Sequence, residues 1–338
     1  MRYTIPATMK AVRQDQAGGQ LYMAEIPVPK PGKGEVLVKM AASPFNPSDL
    51  SFLKGSYVQQ PVYPHTPGIE GSGTVVASGG GLLARLRLGK RVACSSTVGK
   101  GGTWAEYMVT SAMKVIPFGK NIEMEQGAML IVNPLTVLGF MTIAKAGKHR
   151  AIVNNAAASV LGQMLIRICA REKLPLINIV RREEQVELLK KQGAKYVLNS
   201  SGPHFETELK KLAGQLNVTL FFDAVAGKET SLLLKIAPKG STIMVYANLS
   251  GSTIEVDPRL LLQDDKTIGN FYLGNWAAKR GILQTLAAAR KVQKLVSNEF
   301  ASTVRRRYSL DQAQAALNDY THQMTGGKVL LVMDKEKD

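Results

Sequence analysis

Cysteine is scarce in this chain of 338 residues: Cys94 and Cys169 are the only two. They are too few and too far apart for a disulfide framework or a paired thiolate metal site. Histidine is equally thin. His65, His149, His204 and His322 are scattered and form no ligand spacing. The longest apolar runs fall far short of a membrane span, and the opening MRYTIPATMKAVRQ has no apolar signal core. These shortages argue against a disulfide-stapled module, a membrane-spanning chain and a secreted one, and make a reducing cytoplasm the simplest compartment. Acidic residues are also short, with 26 Asp plus Glu against 43 Lys plus Arg, a formal charge of +17. That excess favours anionic partners such as phosphorylated cofactors, coenzyme A thioesters or nucleic acid. A solvated basic surface accounts for most of it. The clusters Arg85, Arg87, Lys90, Arg91 and Arg305, Arg306, Arg307 lack the interleaved aromatics of a strand-stacking groove.

What the chain does have is centred on Lys148 to Arg182, KHRAIVNNAAASVLGQMLIRICAREKLPLINIVRR. Ala151 to Asn154 reads as a short buried strand. Small residues follow, Asn155 to Ser159. Val160, Leu161, Met164, Leu165 and Ile168 then recur at helical spacing up to Arg171, and Leu176 to Val180 is a second apolar strand. This is a βαβ unit, and the turn after its first strand is where a dinucleotide pyrophosphate would sit. The Gly-rich fingerprint is mostly missing from that turn. Ala157, Ala158, Ser159 and Val160 stand where glycines are expected, Leu161 follows, and only Gly162 remains. Backbone N–H groups can still hold a pyrophosphate, with Val160, bulky and β-branched, the residue least suited to the role.

At the end of the second strand stand Arg181 and Arg182. A ribose hydroxyl calls for an acid there, whereas a 2′-phosphate calls for arginine. The pair therefore points to NADPH over NADH. The alternative is two solvated arginines opening the next helix, which the helix dipole disfavours, although Glu183 and Glu184 could pair with them.

Residues 1 to about 125 are rich in short apolar segments separated by proline and glycine: Met9 to Arg13, Glu35 to Ala41, Gly73 to Val76, Lys90 to Cys94 and Trp104 to Val109. That pattern predicts a β-rich domain. Pro134 marks the start of a helix. Past the βαβ unit, helices over Glu183 to Gln192, Phe205 to Leu216 and Lys228 to Ile236 alternate with strands over Tyr196 to Leu198, Val218 to Val225 and Ser241 to Tyr246. The alternation predicts a parallel, doubly wound sheet. Trp276 to Asn298 reads as one long helix, Leu310 to Tyr320 as another, and Val329 to Met333 as a final strand.

The segments VLVKMAASPFNPSDLSFLKGSY, PGIEGSGTVV, GKRVAC, GGTWAEY, VNPLT, the βαβ unit and GKVLLV occur in the order found in medium-chain dehydrogenase/reductases, and the chain resembles that superfamily over nearly its whole length. The resemblance implies an α/β fold: a GroES-like β domain from both chain ends, residues 1–127 and 275–338, around an NADPH-binding Rossmann domain, 128–274. It looks like the zinc-free branch. Asn46 and Ile69 occupy the neighbourhoods of the zinc ligands, so no metal site is expected. That branch includes quinone oxidoreductases and trans-2-enoyl-thioester reductases. Asn133-Pro134 before Thr136, the INIVRR strand end and the aromatic stretch Gly269 to Trp276 lean toward the second.

Residue roles follow from the resemblance. Tyr57 is the choice for the reacting side chain, because a phenol with a reference pKa near ~10 is protonated at neutral pH and can donate. A loop tyrosine packing on Pro61 or Pro64 is the plain alternative. Asn46 and Trp276 join Tyr57 in the catalytic set that the resemblance implies, and Asn46 and Thr136 would contact the nicotinamide side, with Asp49 the alternative anchor of that loop. Tyr246 ends a sheet strand on the cofactor side. Phe271, Tyr272, Leu273 and Trp276 would line the cleft or the subunit contact, and Lys328 matches a position near the cofactor. The expected substrate is a small enoyl thioester, enone or quinone, and a homodimer is implied. The rival reading from another class is nucleic-acid binding through the basic surface.

Overall fold

The computed structural model describes residues 3–58, 60–97 and 99–333. The chain divides into two compact units, one formed by Met1–Val132 with Lys291–Asp338 and the other by Asn133–Arg290. The junctions fall later than the 127/128 and 274/275 expected, most of all the second.

In the first unit, a mixed sheet of seven strands takes in both ends of the chain. Its order is Val304–Tyr308, Lys328–Val332, Glu35–Pro44, Glu70–Ser78, Arg91–Ser95 and Val115–Pro117, with Tyr107–Ser111 also paired to Glu35–Pro44. The C-terminal strand Lys328–Val332 lies antiparallel to Glu35–Pro44, Leu331 opposite Ser43. Glu35–Pro44 is buried on both faces. Val36, Val38 and Met40 join Phe45, Trp104, Val329 and Leu331 in one core, while Leu37 joins Met9, Val76 and Val109 on the other side. A strand covered on both faces reads as the near-continuous apolar run seen in its sequence. Phe45 packs tilted against Trp104 at 4.4 Å and Tyr320 at 5.7 Å. Thr8–Arg13 and Tyr22–Pro27 form a separate two-stranded sheet.

Six parallel strands make the sheet of the second unit. Their order is Tyr196–Asn199, Leu176–Val180, Ile152–Asn154, Leu220–Asp223, Thr242–Val245 and Thr267–Asn270. In chain order this is 3-2-1-4-5-6, the doubly wound arrangement. The first crossover helix, Val160–Arg171, buries Leu161, Met164, Leu165 and Ile168 on one face, each burial contributing roughly 1.5–3 kcal/mol. Ser159 caps it, its hydroxyl accepting from the Gly162 N–H at 3.1 Å.

One expected helix is two. Leu273–Ala278 and Ile282–Leu295 replace the continuous run over Trp276 to Asn298, and the break falls at Lys279, Arg280 and Gly281. Gly281 interrupts the helical pattern there. The expected helix from Leu310 begins as a 3-10 turn, Leu310–Gln312, before Ala313–His322.

Candidate functional site

The second unit places its crevice by topology. Successive strands leave the centre in opposite directions at Ile152–Asn154 and Leu220–Asp223, and ligands bind beyond the carboxyl ends of strands at such a switch point. Asp223 organises this place and escaped the sequence reading. Its fully buried carboxylate accepts from Asn155 Nδ2 at 2.6 Å, the N–H groups of Val225 and Ala226 at 2.8 and 3.0 Å, and Thr230 Oγ1 at 2.5 Å. Asn155 Oδ1 accepts from the Ala224 N–H at 2.7 Å. These bonds hold two non-glycine residues in the left-handed region, Ala156 at φ 48° and Ala226 at φ 62°. Strain of that kind persists where the surroundings over-determine it, as at ligand sites. An acid closing the apolar run LFFD was the available signal.

The turn is built for close approach despite its lost glycines. A Cβ on Gly162 would lie 2.2 Å from the Ala157 carbonyl oxygen, so the helix and turn meet there without room for a side chain. Val160 is the first residue of the helix and half-buried. Among the described residues, the N–H groups of Ala158, Val160 and Leu161 have no acceptor. Three free donors at a helix start suit an anion. Beside the turn, Asn154 is fully buried and its Nδ2 has no partner among the described residues. The residues present therefore fit a dinucleotide: donors for its pyrophosphate and one unmatched amide at the strand end.

Arg181 and Arg182 follow the strand Leu176–Val180 and are exposed. Their situations differ. Arg182 caps the helix Glu183–Lys191 and its Nε meets Glu184 at 2.6 Å. Arg181 is fixed by its main chain: its N–H donates to Gln185 Oε1 at 3.1 Å, and its carbonyl accepts from Ser201 Oγ at 2.9 Å. Its guanidinium pairs with no carboxylate among the described residues. It does act on half-buried Glu229, whose acidity burial and Asp223 weaken and Arg181 partly restores.

An aromatic row continues toward the sheet edge. Phe140 stacks on Phe222 at 3.9 Å and meets Tyr246 at 4.9 Å and Phe271 at 5.1 Å, with Trp276 6.4 Å beyond Phe271. Tyr246 donates to Asn154 Oδ1 at 3.3 Å, and burial pushes its phenol well above the usual range. Thr136 is buried in the helix Val132–Ala146, while Tyr272 and Leu273 are half-buried.

The first unit holds a buried polar relay. Asn46 Nδ2 donates to Glu70 Oε1 at 3.0 Å, and Asn46 Oδ1 accepts from Lys328 Nζ. Lys328 also donates to the Phe45 carbonyl at 3.2 Å. Glu70 Oε2 accepts from the N–H groups of Ile131 and Val132 at 3.2 and 2.9 Å. Asp49 accepts from the N–H groups of Asn46 and Ile69 at 2.8 and 3.0 Å. Asn46-Pro47-Ser48-Asp49 is a capped helix start, the capping box closing on Pro47–Leu53. Asn46 and Lys328 were expected against the cofactor; in this structure their polar ends meet each other, Phe45 and Glu70. Burial pushes the Asp49 carboxyl up to about 7, Glu70 adding to it while the Asn46 N–H and Lys328 oppose it. Burial likewise raises Glu70 and lowers Lys328.

Tyr57 is half-buried, edge-on to Phe52 at 6.0 Å. His65 meets the same Phe52 ring at 5.2 Å and is pushed down to about 4, chiefly by burial and also by Arg13. It is therefore neutral at physiological pH.

A doubly wound parallel sheet with a dinucleotide-type turn in one unit, and a β unit drawn from both sides of it in sequence, define the two-unit class of nicotinamide-dependent oxidoreductases. Residues 32–120 match the alcohol dehydrogenase GroES-like domain, and residues 160–288 match the zinc-binding dehydrogenase domain. The mitochondrial enoyl-acyl-carrier-protein reductase of Arabidopsis thaliana is 31% identical over 260 residues, 75% of this chain and 68% of that protein. The quinone oxidoreductase of Rattus norvegicus is 26% identical over 335 residues, 96% and 98% of the two chains. The solved structure of a Mesorhizobium loti protein assigned to the NADPH:quinone reductases superposes with a TM-score of 0.90 at 34% identity, covering 98% of this chain and 100% of that one. The chain belongs to the medium-chain dehydrogenase/reductase superfamily, in its zinc-free branch of enoyl reductases and quinone oxidoreductases. It is an oxidoreductase of small-molecule substrates. Among the described residues, no group of three His, Cys, Asp or Glu is placed to hold a metal, and no helix is long and apolar enough to cross a membrane.

Proposed function

We propose that this protein is an NADPH-dependent reductase of the C=C bond of 2-enoyl thioesters or related conjugated carbonyl compounds. The observation that carries the cofactor choice is Arg181. It stands at the carboxyl end of the second strand, anchored by its main chain, with its guanidinium free of any carboxylate pair among the described residues. A fork of donors so placed suits a 2′-phosphate. Arg182, already paired with Glu184, adds charge more than contact. The turn N–H groups of Ala158, Val160 and Leu161 would hold the pyrophosphate, capped by Ser159. Thr136, Tyr246, Phe271, Tyr272 and Leu273 would border the nicotinamide half. NADPH, when bound, supplies a hydride.

The protein's own task is to orient the acceptor and to manage a proton. Reduction leaves negative charge on the conjugated oxygen, and the adjacent carbon must be protonated. Tyr57, a phenol with an O–H to give, serves as the donor, directly or through a water. Asn46 and Lys328 act as positioning residues, linked through Asn46 to Glu70 at the start of the Pro47–Leu53 helix. The curated enoyl reductase relative supports the thioester as substrate.

A quinone acceptor is the second reading. It is favoured by the rat quinone oxidoreductase, which matches across 96% of this chain rather than 75%. Replacing Arg181 and Arg182 with Ala tests the cofactor assignment by fluorescence titration. NADPH affinity should fall at least ten-fold, the size of a lost charge-assisted contact of about 1.5–3 kcal/mol, with NADH nearly unaffected. Equal losses for both cofactors would remove the 2′-phosphate assignment.

A further inference from the structure

Arg280 stands apart from the paired arginines of its unit. Arg182 pairs with Glu184 and Arg259 with Asp257. The Arg280 guanidinium lies instead 3.9 Å from the centre of the Trp276 ring, at the break between Leu273–Ala278 and Ile282–Leu295. Stacking on an indole fixes the plane of a guanidinium and leaves its edge of N–H donors free to meet an anion. Two donor atoms here, Arg280 Nε and Trp276 Nε1, are buried and have no acceptor among the described residues. A buried donor without an acceptor is costly to fold around. Those two atoms face inward, whereas Arg280 as a residue is only half-buried and its terminal guanidinium nitrogens are not enclosed, so those outer N–H groups are the ones open to an acceptor from outside.

Trp276 is itself held in position. A Cβ on Gly139 would lie 2.4 Å from the Phe271 ring and 3.4 Å from the indole, so the helix Val132–Ala146 approaches both rings closely. The sheet order sets where this place lies. Arg181 follows the strand in the second position of the sheet, and Trp276 follows the strand at the opposite edge. A dinucleotide anchored at Arg181 runs across the switch point toward that edge. Arg280 therefore stands on the side of the crevice away from the adenosine end.

We propose that Arg280, on its Trp276 platform, recognises the phosphate of a phosphopantetheine-borne enoyl thioester. The assignment rests on the thioester reading above. The outer guanidinium N–H groups donate to the phosphate oxygens at the far end of the pantetheine arm, and the Trp276 ring holds the guanidinium in place. A neutral quinone carries no such group. Arg280 thus sets the preference for carrier-bound thioesters and takes no part in the reduction itself.

The test compares the wild-type protein with Arg280→Gln and Arg280→Lys on three crotonyl thioesters: of coenzyme A, of pantetheine 4′-phosphate and of N-acetylcysteamine, which has no phosphate. For Arg280→Gln, KM should rise about ten-fold or more with both phosphorylated substrates. KM for the N-acetylcysteamine thioester should stay within about two-fold, NADPH affinity should be unchanged, and Arg280→Lys should recover part of the loss. Equal changes with all three thioesters, or none with any, overturn the assignment. A loss confined to the coenzyme A substrate moves the contact to its nucleotide phosphates and also overturns it. Wild-type turnover of quinones but of none of the thioesters overturns the thioester reading, and this assignment with it.

Discussion

Asn46 joins a buried cation to a buried anion, and removing it should expose how much the first unit depends on that link. Its side chain accepts from Lys328 and donates to Glu70, and all three are at least nine-tenths buried. In Asn46→Ala, Lys328 keeps only the Phe45 carbonyl and Glu70 only the N–H groups of Ile131 and Val132. Each lost hydrogen bond involves a charged group, worth roughly 1.5–3 kcal/mol, so the variant should be about 3–6 kcal/mol less stable. Losses of that size, at ~2–4 °C per kcal/mol, lower an apparent Tm by roughly 6–24 °C in a domain of this size class. Thermal unfolding followed by circular dichroism measures it. Asn46→Asp is the sharper variant. It keeps an acceptor for Lys328 but turns a second anion toward Glu70, so its loss should shrink as pH falls and a carboxyl is protonated. An Asn46→Ala variant melting within a degree or two of the wild type would refute the reasoning, because the relay would then contribute almost nothing.

Other predictions concern the crevice and the proton. Gly162→Ala places a methyl 2.2 Å from the Ala157 carbonyl oxygen, so it should weaken NADPH and NADH together and lower the apparent Tm; unchanged titrations would show that the turn tolerates displacement. Tyr57→Phe should slow reduction at least ten-fold while leaving the Kd for NADPH nearly intact, and steady-state rates beside a fluorescence titration decide it. Asp49 gives a pH signature. Its folded value of about 7 lies above the ordinary 3.8, so between those values the folded chain binds more protons than the unfolded one. Stability should therefore fall as pH rises through that window. Asp49→Asn should flatten the slope, and an unchanged profile in denaturant melts at several pH values would count against the assignment.

The βαβ unit was legible because its periodicities are unambiguous. The helix Val160–Arg171 and the strand Leu176–Val180 lie where the pattern put them. The long helix over Trp276 to Asn298 misled because its composition is helical throughout, and only Gly281 hinted at the break that gives Arg280 its place. The strand Val304–Tyr308 was hidden by three consecutive arginines. It is an edge strand, where charge is tolerated and apolar alternation is not required. In the site, Asn46-Pro47-Ser48-Asp49 carried a helix-capping signature that a reading directed at zinc ligands and cofactor contacts passed over. The Asn46–Glu70–Lys328 relay could not be read at all, since it joins residues far apart in the chain through the packing of three strands. Asp223 was passed over for a similar reason. Its partners Asn155 and Thr230 belong to different crossovers of the sheet.

Reduction of an enoyl thioester at the expense of NADPH is read from the loss of NADPH absorbance with a crotonyl thioester, set beside the same assay with a quinone and with NADH. The protein should turn over the thioester, with a kcat/KM at least ~ten-fold higher with NADPH than with NADH, and turn over the quinone more slowly. Turnover with the quinone alone, or equal use of the two nicotinamides, would contradict it.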